Sequence, residues 1–274
     1  MRFLSLTFLT LALVLTRSSA AEAPKPLRAL LVIGGCCHEY AAQKDILKEG
    51  LEKRINVKID IAYSADKTTS PALPILGNPD YAKGYDLVIH DECSADIKDP
   101  ALIAGVLAPH RAGLPGVNLH CAMHSYRIGP PATPADAGSE RAAWFEYLGI
   151  QSSAHGPKLP IAVSFAAGKG PIVKGFADWT TGNEELYNNI KIFPTATALV
   201  HGKQVVKEKE NDYVVVWTND YKGTRVFSTT LGHMSETVAD TRYLDLVARG
   251  VLWACKKLDD SGKPAKGYGP AKAK

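Results

Sequence analysis

Six of the eight histidines fall just after apolar runs or in the connections between them. His38 closes the segment Gly34-Gly35-Cys36-Cys37-His38, and His90 opens His90-Asp91-Glu92-Cys93. His120 and His124 bracket His120-Cys121-Ala122-Met123-His124, His155 opens His155-Gly156-Pro157, and His233 follows Leu231-Gly232. Imidazole exchanges protons near neutral pH and is the commonest metal ligand, so these positions suggest acid–base or metal chemistry. His120 and His124 are four apart and would share a face on an α-helix. Zinc needs at least one further donor. His233 follows a glycine, which permits close backbone approach. The expected metal donors are therefore His120, His124 and His233, with zinc or manganese as the ion. No glycine-rich phosphate loop of either common spacing occurs, so a nucleotide cofactor has no support. The Gly-x-Ser-x-Gly elbow of serine hydrolases is also absent.

Elements that could position such a site alternate along the chain. Residues 27–33 form a continuous apolar run, as expected for a parallel strand buried on both faces. Residues 43–54 carry Ile46, Leu47 and Leu51 on one helical face. Strands are predicted over 57–63, 85–89 and 116–119, and helices over 100–108 and 140–148. Residues 64–84 read as loop. This order implies a parallel sheet wound by right-handed crossovers. Its ligands belong at the carboxyl ends of the strands, where the histidines fall. The second half turns β-rich, with strands predicted over 161–165, 196–200, 213–217 and 226–230. A last helix is predicted over 239–258. The Pro- and Ala-rich stretch 125–140 reads as a long loop over the site.

The composition limits the class of partner. The 274 residues include 32 Lys and Arg against 28 Asp and Glu, a formal charge of +4. Two of those basic residues lie before residue 20, and six lie after Cys255 with two acidic ones. Without them the body holds 24 basic and 26 acidic residues, a net of −2. A slightly acidic body is not the footprint of a nucleic-acid binder. Arg2, the apolar run from Phe3 to Leu15 and Ser18-Ser19-Ala20 form a secretory signal, with cleavage expected after Ala20. The run is too short to span a bilayer, so no stable membrane anchor is expected. The product is expected to be secreted or periplasmic. A domain is expected over 27–258, followed by a mobile basic tail over 259–274. Five cysteines are few and odd in number, which argues against a disulfide scaffold. Cys36 and Cys37 are expected not to bond to each other, because the intervening peptide would be strained. Cys36, Cys93 and Cys121 all follow strand-like runs and should lie near one another, chiefly as buried free thiols.

Taken in order, the motifs resemble the ThuA-like family, named for trehalose utilisation. They are Gly35-Cys36-Cys37-His38, Leu119-His120-Cys121-Ala122, and Trp144 to Gly149 leading to His155. Glu184-Glu185-Leu186-Tyr187, Gly223-Thr224-Arg225-Val226-Phe227, Leu231-Gly232-His233 and Trp253-Ala254 complete the series. The resemblance spans about residues 27–257. The chain departs from the family pattern in having His155-Gly156-Pro157 for His-Pro, and Glu184 for Asp. The family is similar in fold to class I glutamine amidotransferases, which implies a flavodoxin-like parallel sheet flanked by helices. His120 occupies the elbow where the amidotransferases place their cysteine, with Cys121 one residue later.

The resemblance implies an exported protein of carbohydrate metabolism acting on a small sugar, such as a disaccharide or 3-keto-glucoside. A hydrolase, lyase or isomerase would suit that role. A base and an electrophile at the carbonyl oxygen would suffice for proton abstraction beside a keto group. The expected site core is His120, His155 and His233, with Glu185 as base or ligand. His38, Tyr187 and Trp144 would bind substrate. Glu184-Glu185 could equally be an ordinary solvated pair. A non-catalytic sugar- or metal-binding protein, with Trp144, Trp179 and Tyr187 stacking on a pyranose, is the competing reading. A hydrolase using Cys121 as nucleophile is the third.

Overall fold

The computed structural model describes residues 24–165 and 170–270. The signal segment expected over residues 1–20 and the last four tail residues lie outside them. Among the described residues the strands form a single nine-stranded sheet. Its strands are β1 (Leu27–Gly35), β2 (Val57–Ser64), β3 (Leu87–Cys93), β4 (Gly116–Leu119), β5 (Ile150–Ser164), β6 (Trp179–Ile192), β7 (Ala196–Val206), β8 (Lys209–Tyr221) and β9 (Thr224–Thr229). The order is β2-β1-β3-β4-β9-β8-β7-β5-β6. The first five in that order pair in parallel, and from β9 outward every pairing is antiparallel. The β-rich second half therefore extends the parallel sheet.

Among the described residues five α-helices cover the faces: α1 (Tyr40–Glu52), α2 (Pro100–Arg111), α3 (Ala143–Leu148), α4 (Ser235–Ala239) and α5 (Thr241–Ala254). Leu31 and Ile33 of β1 pack with Leu47 and Leu51 of α1 and Leu246 and Val247 of α5. Their neighbours Leu30 and Val32 point the other way, toward Val106 and Leu107 of α2 and Trp144 and Phe145 of α3. Strand alternation thus feeds two cores, one on each face. The start of α2 is set by Asp99, whose carboxylate accepts from the Ala101 N–H at 2.8 Å, with Pro100 at the first helical position.

Two expectations for the C-terminal part are corrected. The helix expected over 239–258 is interrupted at Asp240, which is extended and accepts from the Arg242 N–H at 2.8 Å to begin α5. Nor is residue 259 the start of a loose tail. The Asn56 N–H donates to the Tyr268 carbonyl at 3.1 Å, and Tyr268 packs on the core. A composition rich in Lys, Gly and Pro suggested mobility, but one aromatic residue docks the segment.

Candidate functional site

Four chain segments converge at the carboxyl ends of the parallel strands. The loop after β1 brings His38, the end of β4 brings His120, and the loop after β9 brings His233. Glu185 comes across from β6. One potential donor atom from each lies within 4.8 Å of the other three. His120 sits at a sharp elbow with φ +38°, a conformation rare for a residue with a side chain. It opens a short 3-10 turn, His120–His124.

Backbone carbonyls fix two of the imidazoles. His38 Nδ1 lies 3.1 Å from the Cys36 carbonyl, and His120 Nδ1 lies 2.6 Å from the Thr230 carbonyl. A carbonyl can only accept, so each Nδ1 carries a hydrogen, and each Nε2 presents a lone pair whenever its ring is neutral. His38 Nε2 is buried without a partner. His120 Nε2 faces Glu185 Oε2 at 3.6 Å. His233 Nδ1 lies 3.3 Å from the same oxygen, close enough for charge attraction but off the line of a good hydrogen bond. Orientation of one ring nitrogen by a backbone carbonyl, leaving the other free, is how metal-binding histidines are held. Three imidazoles and a carboxylate are donors suited to zinc or manganese.

Charge follows from this packing. Burial, reinforced by His120 and His233, pushes His38 down to about 2, so it stays neutral. Burial alone would raise Glu185. The close approach of the His120 and His233 rings, with charge from His120 and His155, outweighs it and holds the carboxyl well below the usual range.

The loop carrying His233 is pinned from both sides. The carboxylate of Glu184 is fully buried and accepts from the N–H groups of His233 at 3.0 Å and Met234 at 3.1 Å. Gln43 of α1 donates its amide to the His233 carbonyl at 3.0 Å. The reading of Glu184-Glu185 as a solvated pair is thereby overturned, since both side chains are buried. Sequence inspection missed Glu184 and Gln43 as positioning residues. The adjacent acidic pair directly before Leu186-Tyr187 was the available signal for the first.

The other expected residues divide. His155 lies at the mouth, its side chain 42% exposed and its Nε2 3.7 Å from Glu185 Oε2. Tyr187 is buried, with its hydroxyl 3.4 Å from His120 Nε2. His124 stands outside the group of four. Its Nε2 meets the Ser152 hydroxyl at 3.0 Å and its ring stacks on Tyr187. A 3-10 turn has about three residues per turn, so positions four apart do not share a face. Trp144 is buried in the α2–α3 core, where its indole N–H donates to the Ala122 carbonyl at 2.9 Å. It cannot stack on a sugar there. Trp179 is likewise buried, beneath the Arg242 guanidinium. His90 lies within β3 and is tied to Glu92 at 2.9 Å and His110 at 3.1 Å in a separate buried network.

Cys36 and Cys37 are disulfide-bonded to each other, contrary to expectation. Cys37 meets the geometric demand by adopting φ +79°. Cys93 and Cys121 are buried thiols. Contact with Cys93, together with burial, pushes the Cys121 thiol well above its ordinary value, which disfavours the thiolate a nucleophile needs. A cavity of about 200 Å³ opens onto the site, with His38, His155, Glu185, Tyr187 and Arg127 on its wall.

The family model for ThuA, trehalose utilisation, matches residues 28–254. No curated protein sequence matches the chain. Solved structures share the fold. A putative ThuA-like protein from Parabacteroides merdae has 18% identity and a TM-score of 0.63, covering 90% of this chain and 98% of that one. Another from Bacteroides uniformis has 19% identity and a TM-score of 0.58, covering 89% and 98%.

Proposed function

Because this chain belongs to the ThuA, or trehalose utilisation, family, we propose that it processes a small carbohydrate by metal-assisted proton transfer. The reaction site is the cluster of His38, His120, Glu185 and His233. One observation carries this reading: two imidazoles locked by backbone carbonyls through Nδ1 stand with a buried carboxylate and a third imidazole so that one donor atom of each lies within 4.8 Å of the others. A divalent ion bound there would polarise a sugar carbonyl or hydroxyl oxygen. His38, neutral at working pH, supplies a lone pair and no competing charge. Glu185 remains anionic and binds the cation or a developing positive charge. His155, half in solvent, can carry a proton at Nε2 between the cavity and bulk water. Tyr187 can orient a substrate oxygen through its hydroxyl. A secreted or periplasmic location after cleavage near Ala20, and a glucoside or 3-keto-glucoside as substrate, complete the proposal.

The test is turnover of glucosides and 3-keto-glucosides by the mature chain, with zinc, with manganese and after chelation. Metal-dependent product formation, lost in Glu185→Gln, supports the reading. Tight sugar binding without product under all three conditions would leave a binding protein in its place.

A further inference from the structure

Four sulfur atoms form a continuous row beside the site. Cys36 and Cys37 share a disulfide. Cys36 Sγ lies 3.5 Å from Cys93 Sγ, and Cys93 Sγ lies 2.6 Å from Cys121 Sγ. Cys37 is exposed at one end, and Cys93 and Cys121 are buried at the other. Cys255 stands apart, its sulfur facing the Asp86 carbonyl. Cys93 is thus a thiol placed against a disulfide on one side and a second thiol on the other.

We propose that Cys36, Cys37, Cys93 and Cys121 form one disulfide-exchange centre, in which a single disulfide moves between the exposed and buried pairs. In the first step Cys93 sulfur attacks Cys36 sulfur. The Cys36–Cys93 bond forms, the Cys36–Cys37 bond breaks, and the proton lost by Cys93 ends on Cys37. In the second step Cys121, already in contact with Cys93, gives up its proton as it attacks, forming Cys93–Cys121 and returning Cys36 as a thiol with that proton, so no standing Cys121 thiolate is required. Two thiols and one disulfide stand on each side, so no external oxidant or reductant is needed. Exchange of this kind requires contact between the attacking thiol and the disulfide, and it passes through the mixed species described. The left-handed backbone at Cys37 favours the first step, because opening the bond frees that residue to relax.

The product exposes a reactive dithiol at the rim of the cavity, able to exchange with small thiols or disulfides in solution. It also bears on the neighbouring site. His38 follows Cys37 directly, and its Nδ1–H is seated on the Cys36 carbonyl. A change of sulfur partner at Cys36 and Cys37 would therefore be transmitted to the seat of His38.

Iodoacetamide on the native full chain, with no added thiol or oxidant, tests the exchange, because it traps Cys37 whenever that residue is released. Cleavage after Arg28, Lys44, Lys83, Lys98, Arg111 and Arg127 puts the Cys36–Cys37 pair, Cys93 and Cys121 on three separate peptides. Mass spectrometry of the unreduced digest then reads the connectivity. The expected result is alkylated Cys37 together with Cys93 cross-linked to Cys36 or Cys121, increasing with time. Cys93→Ser, checked for folding by circular dichroism, should keep the Cys36–Cys37 bond and form no cross-link. Three wild-type results would each overturn the proposal: an unchanging Cys36–Cys37 bond with Cys93 and Cys121 as thiols, both pairs bonded at once, or four free thiols. The wild-type experiment decides the matter even if the variant does not fold.

Discussion

His38 is neutral because it is buried among other imidazoles, and that has a pH consequence. Its folded value of about 2 lies below the ordinary 6.5, so the unfolded chain binds the proton first as pH falls. Stability therefore declines on acidification below about pH 6.5. One such group contributes about 2 kcal/mol between pH 7.5 and pH 5. Urea unfolding of the metal-free protein should show His38→Asn less acid-sensitive by roughly that amount. Equal acid sensitivity in the two proteins would contradict the burial argument. Glu184 illustrates a different role. Glu184→Ala leaves one buried and one half-buried N–H group without acceptors and should cost about 2–3 kcal/mol. It should also loosen the His233 loop, read as weakened metal affinity in whatever fraction stays folded. The histidines at the strand ends were legible in the sequence, because apolar runs reveal where strands stop. Glu184 and Gln43 were not, since the groups they satisfy exist only once the His233 loop has folded.

At the level of elements, most strands and helices follow from apolar periodicity, and the failures have local causes. The strand β6 carries Asn183, Glu184, Glu185, Asn188 and Asn189, which no strand pattern announces, yet it supplies Glu185 and Tyr187. Its pairing with β5 is broken by repeated register shifts around His155, and such bulges re-aim side chains. The five-residue 3-10 turn after β4 removed His124 from the face of His120. Close packing of α5 on the sheet makes a further prediction. A Cβ at Gly250 would stand 2.5 Å from the Phe227 ring. Alanine in a helix normally gains about 1 kcal/mol over glycine. Here the clash should reverse the sign, so that Gly250→Ala loses about 1–2 kcal/mol in denaturant unfolding. A stabilised variant would show that α5 can shift away from β9.

For the whole molecule, one sheet joins a parallel half that ends in histidines to an antiparallel half that returns a carboxylate to them. Neither half holds the site alone. The C-terminal segment closes the far end of this body. Removing residues 259–274 deletes the acceptor of the Asn56 N–H and the Tyr268 packing. The loss should be about 2 kcal/mol, visible as a lower denaturation midpoint. An unchanged midpoint would mean that the segment is passive. The family membership, the fold and the converging donors all bear on a single claim, that His38, His120, Glu185 and His233 hold a divalent ion. The most direct measurement is metal content by mass spectrometry after equilibration with zinc or manganese and removal of free ion. It should be made on the native chain and on His120→Ala, His233→Ala and His124→Ala. The account predicts about one ion per chain in the native protein and in His124→Ala, and little in the other two. No bound ion in the folded native protein, or full occupancy without His120 and His233, would contradict it.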